Sequence, residues 1–414
     1  MSAANPPAAK TDNASSPRAD KKHVKQEGIR ETVEAVAIAF ILAFVFKTFE
    51  AEAFVIPTGS MAPTLFGRHK EVNCPKCNFF YTVGASQEID QESGILNPAA
   101  RVRSIDCPNC GKENDISSSP VFNGDRIVVN KEVSKYRRFD VVVFKNPEEP
   151  RINYIKRLVG MPGETVRIRQ GDVQSRQSDA DPWVTQRKED PNVQRDIQLI
   201  VYDDRHPATE LLKAGAEERW TPATFVPEIE EMGGWNRAIN AWTADPETRT
   251  YTVKAADGSP EWLRYRHLAP SSVHWNSASQ GAISPKLTGK LIGDYCGFNA
   301  KSNYNDDNGA YWVKDLTLDA SVTVSDVTEA SRLIFEITQG VRSLRCEIQP
   351  ANGKVELQQI AHTGSNPGEK TSLCSAECTI KGAGEYSVTM ACVDDRICWW
   401  IDDELVPLGD GAIL

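Results

Sequence analysis

The rhythm of apolar and polar positions changes several times along the chain. Residues 1–28 are rich in Ala, Pro, Ser, Asp and Lys, show no apolar period, and are predicted to form a disordered tail. Ala35 to Phe46 is then an uncharged apolar run closed by Lys47. Alone it is too short for a hydrocarbon core of about 30 Å. Extended over 29–49 it reaches that length, with Arg30, Glu31, Glu34 and Lys47 near its ends, where long side chains can snorkel. The expectation is a transmembrane anchor over 29–49. A cleaved secretory signal is the alternative, because Ala51-Glu52-Ala53 has a small-x-small pattern. Lys10, Arg18, Lys21, Lys22, Lys25 and Arg30 precede the run, while Glu50 and Glu52 follow it. The positive-inside rule therefore places the N-terminus in the cytoplasm and the remainder outside.

Beyond the run the pattern is that of strands. Ile127-Val128-Val129 and Val141-Val142-Val143-Phe144 are short β-branched stretches bounded by Gly124-Asp125 and Asn146-Pro147. Residues 50–66 and 120–175 read as one β-rich unit interrupted by an insertion over 67–119. The charged stretch 176–192 reads as a loop or linker. Alternation then resumes in Thr250-Tyr251-Thr252-Val253, Ser321-Val322-Thr323-Val324, Arg332 to Ile337, Arg345 to Ile348 and Tyr386 to Met390. Many short strands with turn signals predict a β-sandwich over 195–414. Trp399-Trp400-Ile401-Asp402-Asp403-Glu404-Leu405 reads as strand, turn and strand, its aromatics assigned to a core. The fold class is mainly β, with room in 414 residues for two or three domains.

Net charge narrows the function. At −10 the chain is not expected to bind nucleic acid, which selects basic surfaces. No His-Glu-x-x-His pattern and no Gly-Lys-Ser phosphate loop is present, which argues against a zinc protease or a nucleotide-binding enzyme.

Two segments carry chemistry. Ser60 lies in a Gly-Ser-Met turn after the apolar run, and Lys156 lies in the apolar stretch Tyr154-Ile155-Lys156-Arg157. A serine hydroxyl needs a neighbouring base, and a neutral lysine amine can serve. Free lysine, with a pKa of about 10.4, is protonated at neutral pH, so such a base needs apolar surroundings. Tyr154, Ile155 and Leu158 are the candidates to supply them.

Phe54-Val55-Ile56-Pro57-Thr58-Gly59-Ser60-Met61-Ala62-Pro63-Thr64-Leu65 resembles the nucleophile box of bacterial type I signal peptidases, the Ser/Lys peptidases of family S26. Asn123-Gly124-Asp125-Arg126-Ile127-Val128-Val129-Asn130-Lys131 resembles their next box. Arg138-Phe139-Asp140-Val141 with Tyr154 to Glu164 resembles the lysine box. The resemblance implies an all-β peptidase core with Ser60 as nucleophile and Lys156 as general base. It also implies the Thr58 hydroxyl and Ser60 amide as oxyanion donors, and Ile56 and Tyr154 as substrate-binding residues. Signal peptides of exported preproteins would be the substrates. The lipid bilayer would be the partner, at the inner (plasma) membrane, with the catalytic part extracytoplasmic and no cofactor for catalysis. The family's last box departs. Leu291-Ile292-Gly293-Asp294-Tyr295 begins like it, but Asn299 stands where a serine belongs and Asp-Ser-Arg is absent. A truncated chain, a substitute hydroxyl such as Ser302, and an inactive relative are the three explanations.

The insertion contains Cys74-Pro75-Lys76-Cys77 and Cys107-Pro108-Asn109-Cys110. Two such knuckles can place four thiolates tetrahedrally around a structural zinc, as in a zinc ribbon, although the gap between them is long. Disulfides are the alternative in an extracytoplasmic segment, and a redox pair the third reading. Cys296, Cys346, Cys374, Cys378, Cys392 and Cys398 form an even set whose pairing the sequence does not dictate. The later part resembles a laminin-G or concanavalin-like jelly roll at the level of pattern, which makes a glycan or protein ligand of that sandwich a rival function. A self-cleaving Ser/Lys regulator is a third, disfavoured because an apolar run stands where a basic DNA-binding half belongs.

Overall fold

The computed structural model describes residues 20–45, 47–48, 51–90, 93–133, 135–225, 235–237, 241–255, 258, 260–294, 298, 311–363 and 366–414. Cys296, Asn299 and Ser302 lie outside the described residues. The chain divides into two units, Met1–Phe54 with Arg126–Tyr136, and Val55–Asp125 with Arg137–Leu414.

In the first unit a helix runs Asp20–Val45, and the strand Ala51–Val55 pairs with Arg126–Asn130. Lys131 fastens this unit locally, pairing with Glu52 at 2.8 Å and donating to the Lys47 carbonyl at 3.2 Å. The helix differs in its bounds from the anchor expected over 29–49, of which Phe46 and Phe49 lie outside the described residues. It starts at Asp20, since Lys21, Lys22, Lys25 and Glu27 are good helix formers. No helix among the described residues is long and apolar enough to cross a membrane. Its uncharged end, Ala35 to Val45, rises only about 16 Å against a core of about 30 Å.

The second unit contains four parts. One is the hairpin Val141–Lys145 with Asn153–Arg157, followed by the sheet of Thr165–Arg169, Asp172–Arg176 and Val184–Thr185. Another is the cysteine module, built of two hairpins, His69–Asn73 with Phe80–Gly84 and Ser104–Asp106 with Glu113–Asp115. Its core joins Val72, Phe79, Tyr81, Val83, Ile105 and Ile116 to the four knuckle cysteines.

A third part covers the knuckles. Leu211 and Trp275, from the short helices Thr209–Lys213 and Ser272–Ala278, enter the module's core. The Trp275 indole donates to the Cys110 carbonyl at 3.0 Å, and Asn109 is held by the backbone of Asp203 and His206. Strands between 220 and 265 form small separate sheets rather than joining the sandwich.

The sandwich itself is therefore shorter than alternation suggested. One sheet has the order Leu316–Val324, Gly384–Val393, Arg396–Ile401, Glu404–Leu405; the other runs Leu333–Gln339, Arg342–Gln349, Lys354–Thr363, Asn366–Glu377, and all neighbours are antiparallel. Inward positions Leu344, Ile348, Leu357, Val388, Met390 and Trp399 are almost fully buried. Each such side chain contributes about 1.5–3 kcal/mol of transfer free energy. Two tight turns shape the first sheet. Asp394-Asp395 and Asp402-Asp403 have positive φ at both central residues, the type I′ geometry that matches strand twist. Trp399 and Trp400 are each 1% exposed, as the core assignment expected.

Residues 184–192, within the stretch read as a loop or linker, are tied to the sandwich. Arg187 donates to the Asp394 carbonyl at 2.7 Å, Lys188 pairs with Asp394 at 3.2 Å, and the Trp400 indole donates to Asn192 at 3.0 Å. Charged residues of this stretch thus answer the Asp394-Asp395 turn. Among the described residues Cys346, Cys374, Cys378, Cys392 and Cys398 are free thiols.

Candidate active site and cysteine cluster

The nucleophile turn is built by its backbone. Ala62 N–H donates to the Gly59 carbonyl at 3.0 Å and Leu65 N–H to Met61 at 3.0 Å, so Ser60 sits on a tight turn running into a helical one. Gly67 faces this turn: a Cβ there would come within 2.2 Å of the Thr58 carbonyl carbon. Only glycine allows that approach. Ile56 is 2% exposed and Met61 6%, and they anchor the two flanks.

Asp125 closes the loop. Its carbonyl accepts from Ile56 N–H at 2.9 Å, its amide donates to the Phe66 carbonyl at 2.9 Å, and its carboxylate accepts from Phe66 N–H at 2.6 Å. One residue thus ties both ends of the 56–66 segment. The Gly124-Asp125 pair could have signalled this role, which spacing alone does not reveal.

Lys156 comes from the strand Asn153–Arg157. Its ammonium lies 2.7 Å from Ser60 Oγ and 3.1 Å from the Ile155 carbonyl, and 5.5 Å from the Tyr154 ring centroid. Arg157, on the opposite side of the strand, donates to the Phe139 carbonyl at 2.9 Å and to Thr64 at 3.4 Å, so the lysine strand is pinned to the serine loop. Arg138 forms a bidentate pair with Glu164, at 2.6 and 2.7 Å, which holds that carboxyl down at about 2. Met161 N–H also donates to Glu164, at 2.7 Å.

The surroundings differ from expectation in one respect. Both Ser60 and Lys156 are exposed, and Tyr154 is 40% exposed beside Phe144 at 41%. The protein does not itself enclose the amine in apolar side chains. Tyr154 meets Phe144 edge-on at 5.9 Å and accepts from Asn146 at 3.2 Å, forming an open aromatic floor. Ile56 by contrast is closed off from solvent, and Thr58 is half-buried two residues before the serine.

The geometry brings together the serine and lysine boxes that resemble the signal peptidases. Residues 112–220 match the family model described as signal peptidase, peptidase S26. Over that stretch the chain is similar to that family. The matched stretch includes Lys156 and begins after Ser60. Signal peptidase I P of Bacillus subtilis subsp. natto is 26% identical over 153 residues, 36% of this chain and 52% of that protein. Signal peptidase I of Pseudomonas aeruginosa is 35% identical over 127 residues, 30% of each chain. That of Buchnera aphidicola subsp. Baizongia pistaciae is 28% identical over 146 residues, 35% of this chain and 34% of its own. The chain thus spans between about a third and a half of these curated relatives. No solved structure matches it.

The second constellation is the cysteine cluster. Cys74, Cys77, Cys107 and Cys110 are buried, and their sulfurs all lie within 4.8 Å of one another. Cys74–Cys110 and Cys77–Cys107 are each 3.7 Å apart. A disulfide would require about 2.05 Å. Tetrahedral zinc with bonds of about 2.3 Å sets sulfurs about 3.8 Å apart, which these pairs fit. Hydrogen bonds from Cys107 and then Cys110 pull the Cys74 and Cys77 thiols down.

Proposed function

We propose that this chain is a serine endopeptidase that removes signal peptides from exported preproteins through a Ser60–Lys156 dyad. The observation that carries the reading is the 2.7 Å approach of Lys156 Nζ to Ser60 Oγ, made across two boxes of an S26 sequence. In this reading neutral Lys156 takes the Ser60 proton as Oγ attacks the scissile carbonyl. The Thr58 hydroxyl and Ser60 amide hold the oxyanion, Lys156 returns the proton to the leaving amine, and water releases the acyl-enzyme. Tyr154 and Phe144 form the floor on which an extended substrate lies. A lysine left open to water is completed by its substrate, because covering it removes water and favours the neutral amine.

The same reading places the chain at the inner (plasma) membrane, its N-terminus cytoplasmic and the dyad extracytoplasmic. The exposed apolar end of Asp20–Val45 meets the lipid bilayer. The four knuckle cysteines would hold a structural zinc, which cross-links the two hairpins and supplies no catalytic step. Burial of Trp399 and Trp400 takes these two aromatics out of any glycan-binding face.

The test uses detergent-solubilised full-length protein and a preprotein whose signal ends in Ala-x-Ala. Cleavage is expected from the parent and is lost in both Ser60→Ala and Lys156→Ala. Retention in either variant rules out the dyad.

A further inference from the structure

Phe298 lies far from Ser60 in sequence, between Gly293-Asp294 and Asn299, where the chain departs from the last signal peptidase box. It is nonetheless 8% exposed, and what buries it is the active site itself. A Cβ placed on Gly59 would lie 2.1 Å from Phe298 Cε1 and 2.7 Å from Cζ, so the ring rests directly on the residue before the nucleophile. A Cβ on Gly84 would lie 2.9 Å from the same Cε1 and 3.1 Å from the Phe298 carbonyl. The ring also meets Phe66, centroids 5.5 Å apart, and Phe66 is the residue whose backbone Asp125 grips. Phe298 is therefore wedged between the serine turn and the end of Phe80–Gly84, the strand that leaves the first cysteine knuckle.

We propose that Phe298 is a positioning residue for the Ser60 turn. Its ring seats Gly59 against the cysteine module and so fixes where Ser60 Oγ stands relative to Lys156. The argument is steric. The loop's hydrogen bonds fix its ends and curvature, but they leave Gly59, with the widest backbone freedom of any residue, unconstrained by a side chain of its own. A flat ring in van der Waals contact supplies that constraint from outside. The two glycines are the sequence counterpart of the aromatic: both positions lack a Cβ where the ring passes. A displacement of about 1 Å at a reacting atom can cost about 100-fold in rate. Losing the ring is therefore expected to act on turnover more than on substrate binding.

The inference rests on the reading of Ser60 as nucleophile, so its test has two arms. In the first, cleavage of the Ala-x-Ala preprotein by the full chain is resolved into kcat and KM. Phe298→Leu and Phe298→Ala are expected to lower kcat by about tenfold and about 100-fold, with KM within about threefold. Gly59→Ala is expected to be severely impaired. Combining it with Phe298→Ala is expected to recover at least about tenfold, because the second change removes the clash made by the first. Unchanged kcat in both Phe298 variants overturns the proposal, as does a double variant no better than Gly59→Ala. The second arm needs no activity. Hydrogen exchange at the Ala62, Leu65 and Phe66 amides is compared between the parent and Phe298→Leu, with zinc content as a check on the module. Faster exchange confined to 59–66 supports positioning, even should the parent prove inactive and the peptidase reading fail. Unchanged exchange there, or loosening spread over the whole chain, overturns it.

Discussion

The exposed dyad and the buried polar clusters handle the same problem in opposite ways. Ser60 and Lys156 meet across 96 residues of sequence, stand open to solvent, and are held by neighbours rather than by burial. The four cysteines and the Lys70–Glu88 pair are closed from water, and the Asp172–Lys314–Asp395 bridges are largely so, with charged groups there set against one another. Lys70 and Glu88 have side chains 0% and 2% exposed, with Lys70 also donating to the Val102 and Ile116 carbonyls. Changes at the open site should therefore remove activity and leave stability nearly untouched. Changes in the closed clusters should do the reverse.

The largest separation is expected at the cysteines. Cys107→Ser, or prolonged chelation, should release the proposed zinc and unfold the module, because a metal's binding energy is folding energy in such small modules. Metal analysis alongside a thermal melt reads this directly. Ser60→Ala in parallel should shift stability by less than about 0.5 kcal/mol, as exposed substitutions usually do. A Ser60→Ala melt displaced as far as that of Cys107→Ser would break the contrast.

Next comes the contact between Asp172–Arg176 and the sandwich. Lys314 lies 2.5 Å from Asp172, whose side chain is 3% exposed, and 3.1 Å from Asp395. Removing one member of a buried pair typically costs about 3–5 kcal/mol, because the other charge stays behind. Lys314→Met should lose that much in denaturant unfolding, and adding Asp172→Asn should restore part of it. A single variant as stable as the parent would show that water already reaches Asp172.

Asp125 sits between the two classes, since it is a partly buried clamp serving the open site. Asp125→Ala orphans Phe66 N–H and should cost about 1–3 kcal/mol. It should also lower kcat, because the Phe66 end of the serine loop loses its side-chain tie. Loss of stability with unchanged turnover would show that the loop keeps its shape without it.

These clusters were unequally readable from the residues. The cysteine knuckles announced themselves by their short spacings, and their four sulfurs do converge. Ser60 and Lys156 did so through the boxes around them. Trp399 to Leu405 followed from alternation and two aspartates that tolerate positive φ. Other features lacked a local signature. Phe298 matters only through two glycines hundreds of residues away, and no periodicity marks one aromatic. Thr250 to Val253 alternates like the sandwich strands, yet alternation cannot say which sheet a strand joins. Arg187 and Lys188 lie in a stretch that reads as a loop or linker, and nothing local marks Asp394 as their partner.

The finest test lies at Asp315, where the closed class is least well answered. Burial first, and then the charge of Asp172, push its carboxyl up to about 6, with Lys314 opposing and the Asp394 amide donating to it at 3.4 Å. Asp394 contributes a further negative neighbour. The unfolded chain releases this proton near pH 4, so between about 4 and 6 the folded form binds more protons than the unfolded. Stability should therefore fall as pH rises through that window and level off above it. Asp315→Asn, which keeps an acceptor for the Asp394 amide and carries no charge, should flatten this part of the profile. It should be more stable than the parent at pH 7.5 and equal to it near pH 4. Urea midpoints taken in half-unit steps of pH would show it. A variant less stable than the parent at pH 7.5 would mean that the Asp315 charge is answered by Lys314 after all, making this corner of the sandwich as fully paired as the Lys70–Glu88 clamp.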